Sequence, residues 1–166
     1  MSITWIVGNI LDAKADAILH QTNCKGVMGA GLALQIRNKY PDVYAKYRIL
    51  CKEEGSNLLG CIEVESPNAG GPKIVNIFAQ DEFNSTHRCT SYDALEKALS
   101  KAADIFSGRT VAVPYKMSCG LAGGNWGIVK AIIQETIGKV CEVQIYRLPS
   151  VPLDTTDFGL CGKNNL

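Results

Sequence analysis

The sequence predicts an α/β fold of three layers, α/β/α, in which helices flank both faces of a mixed, mostly parallel sheet of about six strands. Short apolar runs alternate with segments of helical periodicity along the 166 residues. Two of the strand-like runs end in glycine-rich loops that lead into helices. A chain of this length can form one domain with a substantial core. We expect this domain over residues 1–148 and a C-terminal tail over residues 149–166.

Six segments have the length and apolar content of strands. The segment Ile74–Ala79 is almost continuously apolar, as expected of a strand buried on both faces of a sheet. The predicted strands are Ile3–Val7, Ala17–Thr22, Gly60–Glu65, Ile74–Ala79, Thr110–Pro114 and Glu142–Tyr146.

Four segments have helical periodicity. The first covers Leu32–Lys39, and a second begins at Pro41, which suits the first turn of a helix. A third is capped by Ser91 and ended by Gly108. The fourth begins at Trp126, runs through Ile137 with its apolar residues on one face, and stops at Gly138.

The composition excludes several classes of protein. A net charge of +1 and a pI near 7.5 argue against general binding to nucleic acid or to anionic membranes. No apolar run approaches the ~20 residues of a membrane span, and the N-terminus lacks a signal-peptide pattern. The seven scattered cysteines are expected to be free thiols. We therefore expect a cytoplasmic monomer without cofactor or metal.

Two glycine-rich loops are the main candidates for a binding site. Each follows a strand and precedes a helix, at Asn23–Gly31 and at Ser118–Asn125. Glycines allow close approach of the backbone to a ligand, and the first amides of a helix suit a phosphate. Two such loops at the carboxyl ends of strands predict a crevice that suits a pyrophosphate.

The alternative is that both loops are simply tight turns. The presence of two such loops in matching positions favours a binding site more strongly than a single loop would. The order of glycines in Gly26–Gly31 does not match G-x-G-x-x-G, and the chain contains no G-x-x-x-x-G-K-[ST]. Dehydrogenase-type and P-loop nucleotide sites are therefore not predicted.

These residues resemble a known family, the macrodomains. The resemblance rests on Gly8-Asn9-Ile10, on Ala15–Asn23 with the following Gly26–Gly31 loop, and on Ser118–Leu121 with Trp126. It covers about residues 3–148. The sequence is most similar to the branch that contains the terminal ADP-ribose glycohydrolase, the DNA-ADP-ribose-removing antitoxins and the yeast ADP-ribose-1″-phosphate phosphatase.

The resemblance implies a site for ADP-ribose or an ADP-ribosylated substrate. Asn9 stands where the family usually has an aspartate that contacts the adenine amino group, and Ile10 would supply a neighbouring contact. Asn23 would face the distal ribose. The first loop would cover the distal ribose and the proximal phosphate, and the second would embrace the diphosphate. The implied loop contacts are Gly26, Val27, Met28, Gly29, Ala30 and Gly31 in the first loop, and Ser118, Cys119, Gly120, Leu121, Ala122 and Gly123 in the second.

The same resemblance implies that one catalytic mechanism is missing. Glycohydrolases of this branch use a lysine just after the strand equivalent to Ile74–Ala79, and the human-type enzyme has an aspartate two residues after the Cys-Gly of the second loop. Gln80 and Ala122 stand at these positions. An amide cannot form a Schiff base, so the lysine–aspartate mechanism is not expected. Lys25 and Lys116 lie in or beside the loops, with nothing in the sequence to place either on C1″.

His20 is the candidate catalytic residue, as a general acid or base or as a group that holds a water. The competing interpretation is a hydrogen-bonded histidine that supports the first loop. Asn125 is expected to cap the last long helix, and Phe83 is the candidate to cover a ribose or adenine. Nothing in the sequence activates Cys24 or Cys119 as a nucleophile. A metal site from His20, Cys24, His87 and Cys89 lacks the paired short spacings of zinc ligands.

Three functions remain open from the sequence. The first is an enzyme that removes phosphate from ADP-ribose 1″-phosphate. The second is a hydrolase of ADP-ribosyl esters or ADP-ribosyl-nucleobase adducts in which a bound water attacks with assistance from the substrate. The third is a module that binds ADP-ribose without chemistry. The missing lysine and aspartate favour the first and the third.

Overall fold

The computed structural model describes residues 1–83 and 86–154. The described elements alternate between strands and helices, as the sequence predicts. The strands are β1 (Ile3–Val7), β2 (Ala17–Asn23), β3 (Ile62–Glu65), β4 (Lys73–Gln80), β5 (Thr110–Pro114) and β6 (Glu142–Arg147). The helices are α1 (Gly31–Lys39), α2 (Pro41–Glu54), α3 (Tyr92–Phe106), α4 (Trp126–Glu135) and α5 (Ile137–Val140), with 3-10 turns at Ile10–Asp12 and Gly55–Leu58.

The six strands form one sheet in the order β1-β6-β5-β2-β4-β3. Every neighbouring pair is parallel except β3 and β4, which are antiparallel. The predicted mixed, mostly parallel sheet is confirmed. Because five strands run in the same direction, their carboxyl ends lie along one edge, where loops and helix N-termini can form a site.

Alternation along the strands directs side chains to two cores. In β2, Ala17 and Leu19 pack with α3 and α4, whereas Ile18 packs with Ile36 of α1 and Val43 of α2. Both sets are almost completely buried. The sheet is therefore covered on both faces, and the predicted three-layer architecture is confirmed.

The outer strand β3 carries charge on its α2-facing side. Glu65 accepts a hydrogen bond from Lys46 of α2 at 2.9 Å. Glu63 is only partly exposed, and its carboxylate accepts a hydrogen bond from Asn76 of β4 at 3.0 Å. The strand begins at Ile62 rather than at the predicted Gly60, because Gly60 has a φ of +86° and belongs to the preceding turn.

The predicted end of the fourth helix is wrong. Helix α4 ends at Glu135, and Gly138 lies inside the separate short helix α5 rather than terminating α4. The break is at Thr136, where the backbone is not helical (φ −111°, ψ −99°). The Thr136 hydroxyl donates to the carbonyl of Ile132 at 2.7 Å, so the side chain takes part in the local bonding of the last turn.

The structure follows the predicted tail as far as Asp154. Val151 and Leu153 pack against the larger core, and the amide of Asp154 donates to the hydroxyl of Tyr115 at 3.2 Å. The remainder of the predicted tail, residues 155–166, lies outside the described residues.

In the part of the chain that the structure describes, no helix has both the length and the apolar character needed to cross a bilayer. The six cysteines in this part of the chain form no disulfide, as the sequence predicts for these residues.

Candidate functional site

A cavity of about 690 Å³ lies at the carboxyl ends of three neighbouring strands. Its lining includes Asn23, Gln80 and Pro114, which are the last residues of β2, β4 and β5. Both glycine-rich loops border it. The volume is in the range that encloses a small organic ligand.

The side chain of Asn23 organises the start of the first loop. Its carbonyl oxygen accepts hydrogen bonds from the amides of Lys25 at 3.0 Å and Val27 at 3.3 Å, and its amide donates to the carbonyl of Val27 at 2.8 Å. The hydroxyl of buried Tyr47 lies 2.7 Å from the backbone carbonyl of Asn23. Asn23 lines the cavity, but its polar atoms already hold the loop in shape.

The first loop leads to a helix N-terminus that faces the cavity. Ala30 is the N-cap of α1 and makes no side-chain hydrogen bond to the helix, while Gly31 has a φ of +56°. Residues 29–33 line the cavity. The first amides of a helix have no intrahelical acceptor and carry the positive end of the helix dipole. This segment can therefore bind an anionic group of a ligand.

The second loop has positive φ angles at three residues and is stabilised by hydrogen bonds to its backbone. Lys116, Ser118 and Gly123 have φ values of +57°, +70° and +73°. The carbonyl of Ser118 accepts hydrogen bonds from the amide of Gly124 at 2.8 Å and from the hydroxyl of Thr90 at 2.9 Å. The following residues 120–122 line the cavity.

The sequence predicts that the helices after both loops begin at the crevice, and the helix after the second loop does not. Asn125 caps α4 through its side chain, which accepts a hydrogen bond from the amide of Ile128 at 3.2 Å, as predicted. Among the described residues, none of α4 belongs to the cavity lining. The second loop therefore contributes its own backbone, and α1 contributes the helix N-terminus.

Close packing within the second loop predicts a specific effect of Gly124→Ala. A Cβ at this position would lie 2.5 Å from the carbonyl oxygen of Ser118, so the carbonyl and its two hydrogen bonds must shift. We expect the free energy of unfolding in urea to fall by about 2 kcal/mol or more. Gly120→Ala is the matched control, since its Cβ meets nothing within 4 Å. Equal stability of the two variants would contradict the described loop conformation.

A neutral hydrogen-bond network forms the cavity wall between the strands and the second loop. The Ser118 hydroxyl donates to the side-chain carbonyl of Gln21. The Gln21 amide donates to Gln80 at 2.8 Å and to the Thr90 hydroxyl at 3.0 Å. The side chain of Gln80, at the end of β4, is therefore held in place by Gln21.

His20 lines the cavity although only 2% of its surface is exposed. Its Nε2 lies 2.6 Å from Oδ1 of buried Asn76, whose amide group donates to Glu63. Since Asn76 offers an oxygen, the imidazole carries its proton on Nε2 and has a lone pair on Nδ1. Burial lowers the pKa of His20 to about 4, so the ring is neutral at physiological pH. The hydrogen bond of His20 goes to β4 rather than to the first loop, and a neutral ring is a poor proton donor.

The structure brings ten of the sequence-predicted site residues to the cavity. Of the described ionisable side chains that line it, His20 and Lys116 are basic and none is a carboxylate. The Lys116 amine lies 5.5 Å from the centre of the Tyr115 ring. The ten residues are His20, Asn23, Val27, Gly29, Ala30, Gly31, Ser118, Gly120, Leu121 and Ala122.

Six predicted contacts lie outside the cavity lining. Asn9 caps the 3-10 turn by accepting a hydrogen bond from the amide of Leu11 at 3.0 Å, and Ile10 is buried in the core beside α1. Met28 is completely buried against Tyr47. The proposed adenine contacts of Asn9 and Ile10 stay predictions. The other three residues outside the lining are Gly26, Cys119 and Gly123.

Sequence reasoning missed several lining residues. Gln21 and Thr22 line the cavity, but in the sequence they lie within a predicted strand. Leu32 and Ala33 also line it, but they begin a predicted helix and resemble its apolar face. The run of four polar residues, 20–23, at the end of β2 is the signal that could have identified Gln21. Phe83, which the sequence suggested as a cover for the ligand, lines the cavity and is 57% exposed.

Three further polar side chains of the two loops, Cys24, Cys119 and Lys25, have a raised pKa or a bonding partner. Burial raises the pKa of the Cys24 thiol to about 12, and the Cys119 thiol donates to the carbonyl of Met117 at 3.2 Å. The Lys25 amine lies 3.6 Å from the carboxylate of Asp81. These contacts agree with the absence of a predicted nucleophile at these positions.

Several known proteins that match this chain are macrodomains or enzymes that act on ADP-ribose derivatives. The family model of the Macro domain matches residues 19–133. A DNA ADP-ribosyl glycohydrolase of Mycobacterium tuberculosis is 30% identical over 148 residues, which cover 89% of this chain and 42% of that protein. An ADP-ribose 1″-phosphate phosphatase of Saccharomyces cerevisiae is 37% identical over 89 residues, covering 52% of this chain and 50% of that protein. The chain spans about half the length of these curated relatives.

Two solved macrodomain structures match this chain over nearly their whole length. The macrodomain of Mycobacterium tuberculosis DarG has a TM-score of 0.72 at 26% identity, covering 87% of this chain and 97% of that one. The macrodomain of Thermus aquaticus DarG has a TM-score of 0.72 at 27% identity, covering 88% and 98%.

Proposed function

The chain belongs to the macrodomain family, and from this premise we propose that it binds ADP-ribose and hydrolyses a derivative with phosphate on C1″. The observation that carries the proposal is the cavity at the ends of β2, β4 and β5, bordered by both glycine-rich loops. Its volume of about 690 Å³ is in the range that encloses a small organic ligand such as a nucleoside diphosphate sugar.

The backbone supports the assignment of the diphosphate. The first residues of α1 and residues 120–122 line the cavity, and we propose that their backbone amides bind the diphosphate. Such amides bind phosphate oxygens without a basic surface, which agrees with the chain's net charge of +1. Lys116 adds one positive charge to the lining.

The lining supports hydrolysis by a bound water better than covalent catalysis. Gln80 is an amide held by Gln21, so this position offers no nucleophile. The Nδ1 lone pair of His20 can accept a hydrogen bond from a water, although a pKa of about 4 makes the ring a weak base. His20 is therefore proposed to position the water, while the loop amides hold the phosphate.

Release of inorganic phosphate from ADP-ribose 1″-phosphate tests the enzyme, and calorimetry with ADP-ribose tests the binding. We expect binding to the wild type and to His20→Gln, with a fall of about tenfold or more in kcat for the variant. Unchanged kcat in His20→Gln would remove the role of this residue. No binding at millimolar ADP-ribose would overturn the whole proposal.

A second candidate is hydrolysis of an ADP-ribosyl-nucleobase adduct. It is favoured by the extent of the match, because the DNA ADP-ribosyl glycohydrolase of Mycobacterium tuberculosis aligns over 89% of the chain, whereas the phosphatases of Saccharomyces cerevisiae and Scheffersomyces stipitis align over 52% and 78%. Incubation with ADP-ribosylated DNA and with ADP-ribosylated protein separates it from the phosphatase. Binding of ADP-ribose with no product from any of these substrates would identify a binding module.

A further inference from the structure

The loop between β4 and α3 brings together three side chains that metal ions use as ligands. Glu82, His87 and Cys89 each offer one ligand atom, and these atoms all lie within 4.8 Å of one another. The Nε2 of His87 is 3.0 Å from a carboxylate oxygen of Glu82. The loop is closed at its base by an antiparallel bridge between Gln80 and Thr90.

The chemistry of this set favours zinc. A thiolate, an imidazole and a carboxylate are the three protein ligands of Zn²⁺, and magnesium or calcium would favour oxygen alone. Ligand atoms at ~2.0–2.3 Å from a tetrahedral zinc lie about 3.3–3.8 Å apart, so the three groups need to move little. Thiolate and carboxylate together balance the two charges of the ion.

A neighbouring group can orient the imidazole. The Nδ1 of His87 lies 3.5 Å from the hydroxyl of Thr86. Zinc on Nε2 requires the proton on Nδ1, which can then be donated to Thr86. Metal-bound histidines usually donate their second ring N–H to such a group. By contrast, an exposed Glu–His pair alone stabilises a fold by little.

We propose that Glu82, His87 and Cys89 bind one Zn²⁺ ion, with water in the fourth position, and that the ion fastens this loop at the mouth of the cavity. The loop carries Phe83, which lines the cavity. On its other side, the amides of Cys89 and Thr90 donate to the carbonyl of Ala122 in the second loop, at 2.9 and 3.1 Å. A bound ion therefore fixes the position of Phe83 relative to both strands and loops.

The sequence does not predict this site, because His87 and Cys89 have no paired short spacing with His20 and Cys24. In the structure His20 is bonded to Asn76 and Cys24 is buried beside Tyr47, whereas Glu82 lies next to His87. The proposal does not depend on the ligand of the cavity.

Metal binding to the full chain tests the proposal directly. The chelator-treated protein is titrated with Co²⁺ and followed by absorption, and with Zn²⁺ by calorimetry. We expect one equivalent of each ion, with a thiolate-to-cobalt charge-transfer band that disappears in Cys89→Ser. His87→Gln should weaken Zn²⁺ binding by at least about tenfold. Cys61→Ser, which changes a partly exposed cysteine outside the cluster, should bind as the wild type does.

A second measurement tests the effect on the loop. Trypsin can cleave after Arg88, which lies between two of the proposed ligands. Zn²⁺ should slow this cleavage in the wild type and in Cys61→Ser, but not in Cys89→Ser. Absence of the charge-transfer band, or its persistence in Cys89→Ser, would overturn the metal site. Metal binding without protection at Arg88 would overturn the fastening of the loop.

Discussion

Gly29→Glu should abolish detectable ADP-ribose binding while leaving the domain folded. Gly29 is exposed in the first loop and lines the cavity, and its Cβ would meet only Val27, at 3.6 Å. The new side chain therefore fits the fold but occupies the space in front of the α1 amides. A carboxylate placed there also repels a diphosphate and competes with it for the amide donors. We expect affinity to fall at least about 100-fold, which corresponds to about 3 kcal/mol.

The matched control for this substitution is Ala69→Glu. It adds the same side chain at an exposed position in the turn before β4, at the opposite edge of the sheet from the cavity. Calorimetry should show wild-type affinity for Ala69→Glu, and circular dichroism should show native structure for both variants. Retained binding by Gly29→Glu would mean that the first loop does not contact the ligand.

Acid should destabilise the protein through His20. The pKa of this buried imidazole is about 4, against an ordinary value of 6.5 in an unfolded chain. Between these values the unfolded chain binds the proton and the folded protein does not, so the free energy of unfolding falls as the pH falls. The difference of 2.5 units corresponds to about 3 kcal/mol between pH 6.5 and pH 4.

Glu63 acts in the opposite direction over part of this range. Burial raises its pKa above the ordinary 4.5, so its protonation favours the folded state as the pH falls through that region. The contribution of His20 is therefore measured as the difference between the wild type and His20→Gln in urea denaturation at several pH values. That difference should change by about 3 kcal/mol across the range. If His20→Gln and the wild type lose stability in parallel on acidification, the imidazole titrates normally and its burial is wrongly described.

The fold was predictable because local patterns carry most of its information. Apolar runs fixed the strands to within one or two residues, and Ser91 and Asn125 identified helix starts through their capping chemistry. The end of α4 was not predictable in the same way. Ile137 continues the apolar periodicity, but the backbone leaves the helix at Thr136.

The site was predictable where residue type alone carries the signal. Glycines marked both loops, and positive φ values at Gly26, Gly31 and Gly123 explain part of that composition. The state of His20 depends on Asn76, which is 56 residues away in sequence and meets it only when β2 and β4 pair. Local patterns contain no information on that register, nor on the bonds that connect Gln21 with Gln80 and Ser118.

The charged outer strand β3 has a consequence for solubility. The last strand of an open sheet presents unpaired backbone groups to which a strand from another molecule can bind. At this edge such an approach would further desolvate Glu63, which is already half-buried and held by Asn76, and would crowd the Lys46–Glu65 ion pair. The cost of removing these carboxylates from water opposes pairing of β3 with a strand of another molecule. Because β3 is short, such pairing would form few backbone hydrogen bonds to offset this cost.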